Sequence, residues 1–108
     1  MMFLFVKNSF TLKEIKHFLG AASLKALGEF KIPKKTLKPV VELILEKPHI
    51  FDNFIKNKVA LREHKGLFRD KEESDEFIIQ VTEELMVHLS ENWLKYELKL
   101  NTIQNSIN

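Results

Sequence analysis

The chain has 108 residues, 44% of them hydrophobic and 30% charged, with a formal net charge of +2 and no cysteine. That length fits one domain, and three glycines and three prolines are too few for a loop-rich or disordered chain. The lack of cysteine excludes disulfides and thiolate metal sites and fits a reducing compartment, read here as the cytoplasm.

Charge is unevenly spread. Residues 1–60 hold 11 Lys/Arg against 5 Asp/Glu, a net of +6, and residues 61–108 hold 6 against 10, a net of −4. The two halves can attract each other within a chain or between chains, and a basic surface beside an acidic one in a single bundle is the simpler arrangement. The opening MMFLFV is far too short to span a bilayer. It also lacks the basic flank and small-residue cleavage site of a signal peptide. Residues 1–10 are therefore read as an N-terminal arm, a short strand or extended segment lying on the helices, and no membrane contact is expected.

Thr11-Leu12-Lys13-Glu14 is a capping box, in which each side chain satisfies a backbone N–H left unpaired at a helix start. Phe10 and Ile15 can staple across it. A first helix is predicted from Leu12 to Leu19, with Gly20 in the left-handed stop position and Ser23 capping a second short helix through Phe30. A helix-turn-helix can be sketched on Ile15, Leu19, Gly20 and Ala21. It fails in detail, because Lys16 stands where a small residue is needed and the would-be reading helix carries one lysine and no arginine.

The segment EFKIPKKTLKPVV, residues 29–41, carries Lys31 before Pro33 and Lys34, Lys35 and Lys38 between Pro33 and Pro39. Pro33 breaks the preceding helix, and Pro39 suits the first turn of a third, buried helix through Leu45. The lysines then lie on a turn. They could meet phosphates, but fifteen lysines against two arginines is a poor balance for base-edge and phosphate forks. A solvated connector is the preferred reading. Pro48 opens a fourth helix, with Ile50, Phe51, Phe54, Ile55, Val59 and Leu61 at helical spacing and Gly66 at its end.

Gly66-Leu67-Phe68-Arg69 resembles the arginine-finger segment of Rho GTPase-activating domains, where the arginine neutralises charge on a transferring phosphoryl group. The resemblance covers these four residues, in a chain much shorter than those domains. The plain reading is taken: a helix-ending glycine, two core residues and a surface arginine.

Asp70 or Ser74 can cap the last helix. From there Ile78, Val81, Leu85, Leu89, Trp93, Tyr96, Leu100 and Ile103 step by 3, 4, 4, 4, 3, 4 and 3, one sustained apolar stripe. A helix over it is about 40 Å long at 1.5 Å per residue, against roughly 26–28 Å for the diameter of a compact domain of this size. Part of it should project beyond the body or be covered by another chain. Near Trp93 and Tyr96 the apolar positions nearly encircle the helix, which calls for cover on more than one side.

No catalytic residues are assigned. No phosphate-cradling loop or nucleophile elbow is present, and the adjacent acids Glu72-Glu73 and Glu83-Glu84 diverge on a helix rather than face one substrate. Glu84, His88 and Glu91 share a helical face and could hold a divalent ion, yet such a set is more often an exposed ion-pair ladder. No cofactor or metal is called for. The expectation is an all-α bundle of about five helices forming a single domain, 1–108, with an arm at 1–10, four short helices over 11–66 and a long C-terminal helix over 74–104. Its function is expected to be that of a non-enzymatic protein–protein interaction or regulatory module, self-associating as a homodimer. Trp93, Tyr96, Leu100 and Ile103 are the expected partner-binding residues. The alternative is a nucleic-acid-binding regulator using Lys31, Lys34, Lys35 and Lys38.

Overall fold

The structure, a computed structural model, describes residues 9–62 and 68–107, and for residues 96–107 it describes the course of the chain only. Four helices follow in order: α1 (Leu12–Gly28), α2 (Lys34–Glu46), α3 (Pro48–Arg62) and α4 (Lys71–Ile107). No strand occurs among the described residues. The all-α class is as expected, but the helices number four rather than five. Of the strand or extended arm expected at residues 1–10, residues 1–8 lie outside the described residues, as does the Gly66 helix end.

The difference in number arises at Gly20. The capping box forms as expected. The Thr11 amide donates to Glu14 Oε1 at 3.0 Å and the Glu14 amide donates to Thr11 Oγ1 at 3.2 Å. The helix then runs through Gly20 to Gly28. The buried face explains this. Ile15, Phe18, Leu19, Ala22 and Ala26 recur at helical spacing straight across the glycine, which itself sits on the exposed side. Continuous burial outweighs the roughly 1 kcal/mol that a mid-helix glycine costs. Ser23 is accordingly not a cap; its hydroxyl donates back to the Leu19 carbonyl at 2.6 Å. The same continuity removes the turn on which a helix-turn-helix depends.

The second correction concerns Pro39. Helix α2 starts five residues earlier than the proline alone suggests, with Pro33 at its N-cap and Pro39 inside it. Thr36 and Leu37 are buried, 2% and 5% exposed, so the core holds the turn before Pro39 in helical form. The Thr36 and Leu37 amides donate to the Pro33 carbonyl at 3.0 and 2.9 Å. Between α1 and α2, the Ile32 amide reaches the Ala26 carbonyl at 3.1 Å, and Lys31 takes a left-handed φ of 52°.

One core joins the four helices. Phe10, Phe18 and Phe51 form an aromatic group, with Phe10 edge-on to both others at 5.9 and 5.3 Å between centroids. The Phe10 amide is tied down by Asp52 Oδ1 at 3.0 Å. Around this group lie Ile15, Leu19, Val40, Ile44, Ile55, Ile78, Val81, Leu85 and Met86. Helix α1 runs alongside α4 in the same sense: Lys13 and His17 share a surface hollow with Lys71 and Asp75, and Lys25 pairs with Glu83 at 3.4 Å. The small buried side chains Ala22 and Ala26 permit close helix packing.

The joint into α4 is built on Phe68, 1% exposed. Arg62 lies over its ring at 5.0 Å and also meets Glu73 at 3.1 Å. Asp70 is the cap: its Oδ1 accepts from the Glu73 amide at 2.9 Å and its carbonyl accepts from the Ser74 amide. Ser74 does not serve as one and lies buried instead. From Lys71, α4 continues for 37 residues without interruption.

Candidate functional site

Two features of the surface depart from what a small helical body needs. The first is the far end of α4. A helix of 37 residues is about 55 Å long, roughly twice any other helix of the chain. The principal extents are 64 × 24 × 23 Å and the radius of gyration is 16.1 Å, against about 13 Å for a compact chain of this length. Trp93 is half-buried and is the last residue of α4 seen against the core. Leu94 follows at 43% exposed, and Lys95 is exposed. Tyr96, Leu100 and Ile103 are on the same helix, but their side chains lie outside the described residues.

The second feature is a groove between the end of α1 and the first half of α2. Leu27, Leu37 and Val41 supply its apolar surface, Lys34, Lys38 and Glu42 complete its lining, and its volume is about 480 Å³. Lys34, Lys38 and Glu42 fall at steps of four along α2, beside the parallel row Leu37–Val41. The lysines expected on a turn are thus largely helical: Lys34, Lys35 and Lys38 lie on α2 and Lys31 in the connector, and all four are exposed. Residues 31–38 contain no acid to neutralise them. Leu24, 76% exposed, and Phe30, 49% exposed, are further apolar side chains at this end of α1. Phe30 stands beside Val87, His88 and Glu91 of α4, so this end of α1 lies one to two turns before Trp93.

No sequence pattern announced the groove. Leu27 and Val41 each look like ordinary core positions, and only the packing angle of two helices leaves them half covered. The sequence did carry a trace of it, in that Lys38 and Glu42 border the apolar row at helical spacing.

The other charged constellations are structural. Glu73 accepts from Arg69 Nε at 2.8 Å, from the Arg69 amide at 3.1 Å and from Arg62 at 3.1 Å. The Arg69 side-chain hydrogen bond, then its backbone N–H, hold the Glu73 carboxyl below its ordinary value. Arg69, the arginine of the GLFR tetrapeptide, is engaged there while Phe68 is core, and Gly66 and Leu67 lie outside the described residues. Glu83 and Glu84 diverge, the first buried against α1 and the second paired with Lys58 at 3.2 Å. His88 meets Asn92 at 3.3 Å. Among the described residues, no three His, Asp or Glu side chains are grouped to hold a metal ion, so Glu84, His88 and Glu91 do not form such a site. Ser74 Oγ, Ser90 Oγ and Glu83 Oε1 are buried without a hydrogen-bond partner, although Glu83 keeps its ion pair with Lys25. No helix among the described residues is long and apolar enough to cross a membrane.

Comparison with models of protein families, with curated proteins and with solved structures gives no match.

Proposed function

We propose that this protein is a non-enzymatic interaction or regulatory module that self-associates through the distal part of α4, with Trp93 at the root of the interface and Tyr96, Leu100 and Ile103 along it. The observation that carries this reading is the length of α4 against the body: one unbroken helix of 37 residues in a molecule 24 Å across. The apolar stripe of the sequence continues past Trp93, the last core contact among the described side chains, and an isolated amphipathic helix in water gains little from its own hydrogen bonds. Cover by a second copy would bury that stripe and complete the fold.

Trp93 also packs on the core, so a test at that residue would confuse folding with association. Leu100→Asp with Ile103→Asp is the cleaner variant. Light scattering should report a dimer for the wild type and a monomer for the variant, with circular dichroism showing helix content largely kept. A wild-type chain that stays monomeric at high concentration defeats the proposal.

A second reading keeps the lysines as a nucleic-acid contact, supported by four exposed lysines with no acid among them. It expects binding to duplex or single-stranded probes that falls steeply with salt and is abolished by Lys34→Glu with Lys35→Glu. The absence of arginine before Arg62 weighs against it.

A further inference from the structure

We infer that the groove between α1 and α2 is a docking site for an acidic amphipathic helix of a partner protein. The inference goes beyond self-association through α4 and uses a different surface. Three observations lead to it.

The first is shape. The lining residues on α2 run from Lys34 to Glu42, a length of about 12 Å or two helical turns. The wall opposite is α1, through Leu27. An open groove between two helices, with half-buried Leu27 and Val41 over the buried Leu37, suits the apolar stripe of a third helix, whose anchors recur every three or four residues. The second is charge. Lys34 and Lys38 border that strip, Lys31 and Lys35 are exposed in the same segment, and the first turn of α2 carries no acid. The N-terminal end of α2 adds its own positive pole. Glutamates or aspartates flanking the ligand's apolar stripe would meet this rim, and a like-charged ligand would be turned away. Glu42, at the other end of the row, sets the direction: the acidic end of the ligand belongs over Lys34 and Lys38. The third is the apolar surface nearby. Leu24, one helical turn before Leu27 on α1, is 76% exposed and has no role in the core.

The same features disfavour the other occupants. A phosphate backbone has no use for a leucine–valine floor, and Glu42 repels it. A bilayer surface is broad, whereas the floor is a narrow strip between two helices. The chain's own first eight residues carry Lys7 and no acid, so they offer the lysine rim no opposite charge.

The test uses the full chain and a fluorescent synthetic peptide of about four helical turns, with leucines at i, i+3, i+7 and i+10 and glutamates beside them. Anisotropy should show saturable one-to-one binding that weakens as salt rises. A peptide of identical composition with the leucines moved off the helical period should bind markedly less. Lys34→Glu with Lys38→Glu should weaken binding about tenfold or more, roughly the effect of turning two rim attractions into repulsions. Its melting curve should match the wild type, since both side chains are exposed. Leu100→Asp with Ile103→Asp should bind the peptide as the wild type does, which separates this site from the α4 interface. The inference is overturned by absence of binding, by equal binding of the off-period peptide, or by indifference to the lysine reversal. It is equally overturned if duplex DNA or vesicles of anionic phospholipid bind more tightly through the same lysines. A lower molar mass of the reversal variant without peptide would identify a second copy as the occupant. Tighter peptide binding after deletion of residues 1–8 would identify the chain's own arm. Either outcome overturns it.

Discussion

Glu73 concentrates more polar contacts than any neighbour at the start of α4. It accepts from Arg69 twice and from Arg62 once, and so ties the end of α3 to the first turn of the long helix. Those donors favour the carboxylate, so its folded-state pKa lies below the ordinary 4.5. A depressed acid contributes stability above the unfolded value, and the contribution is lost as pH falls through the lowered one. Glu73→Gln should therefore lower the urea midpoint at neutral pH, with the gap to the wild type full above the ordinary carboxylate value and closing as pH falls below it. A gap that stays constant with pH would show that the carboxylate charge is not what matters. Phenylalanines divide by position in the same way. Phe51 is fully buried between Phe10 and Phe18, and Phe51→Ala should cost about 3–5 kcal/mol. Phe30→Ala, at a side chain half open to water, should change stability by no more than about 0.5 kcal/mol. Equal losses in chemical denaturation would contradict this placement of the core.

At the scale of the element, local signals and tertiary packing disagree in two places, and packing prevails in both. Gly20 followed by Ala21-Ala22-Ser23 looks like one helix ending and another beginning, yet α1 passes straight through. A Cβ added at Gly20 meets nothing within 4 Å. Gly20→Ala should therefore stabilise the fold by about 0.5–1 kcal/mol, because it lowers the entropy of the unfolded chain at no steric cost. Destabilisation in a thermal melt would mean that the helix breaks there after all. Pro39 is the second case. Its ring removes the donor that would have closed on the Lys35 carbonyl, and burial of Thr36 and Leu37 keeps the preceding turn helical regardless. The capping box at Thr11 and the start of α3 at Pro48 were legible, and the cap of α4 was narrowed to Asp70 or Ser74, because each depends on residues within four positions of one another. Gly20 and Pro39 were misleading, because their outcome depends on partners from other helices.

For the whole molecule, the decisive quantity is the ratio of α4 to the body that carries it. Among the described side chains the core reaches along α4 to Trp93, and the helix itself continues to Ile107. Small-angle scattering makes the shape measurable. The Leu100→Asp, Ile103→Asp variant should give a radius of gyration near the 16.1 Å of a single chain, well above the roughly 13 Å of a compact one, and the self-associated wild type should exceed both. A variant value close to 13 Å would mean that α4 folds back on the body, leaving no surface for a partner.

What the sequence determined by itself was the helical class, the capping box at Thr11, the separation of basic and acidic halves, and an apolar stripe from Ile78 to Ile103. All of these are set by neighbours along the chain or by a period of three to four residues. The tertiary structure alone decided that two short helices are one, that Lys34, Lys35 and Lys38 ride on a helix rather than a turn, and that Leu27 and Val41 stay half-covered at the edge of the core, where they line a groove. The physical reason is common to all three. Whether a glycine ends a helix, a proline starts one, or a leucine is covered depends on the free energy of burial against residues far away in sequence, and that energy is fixed only when the helices meet.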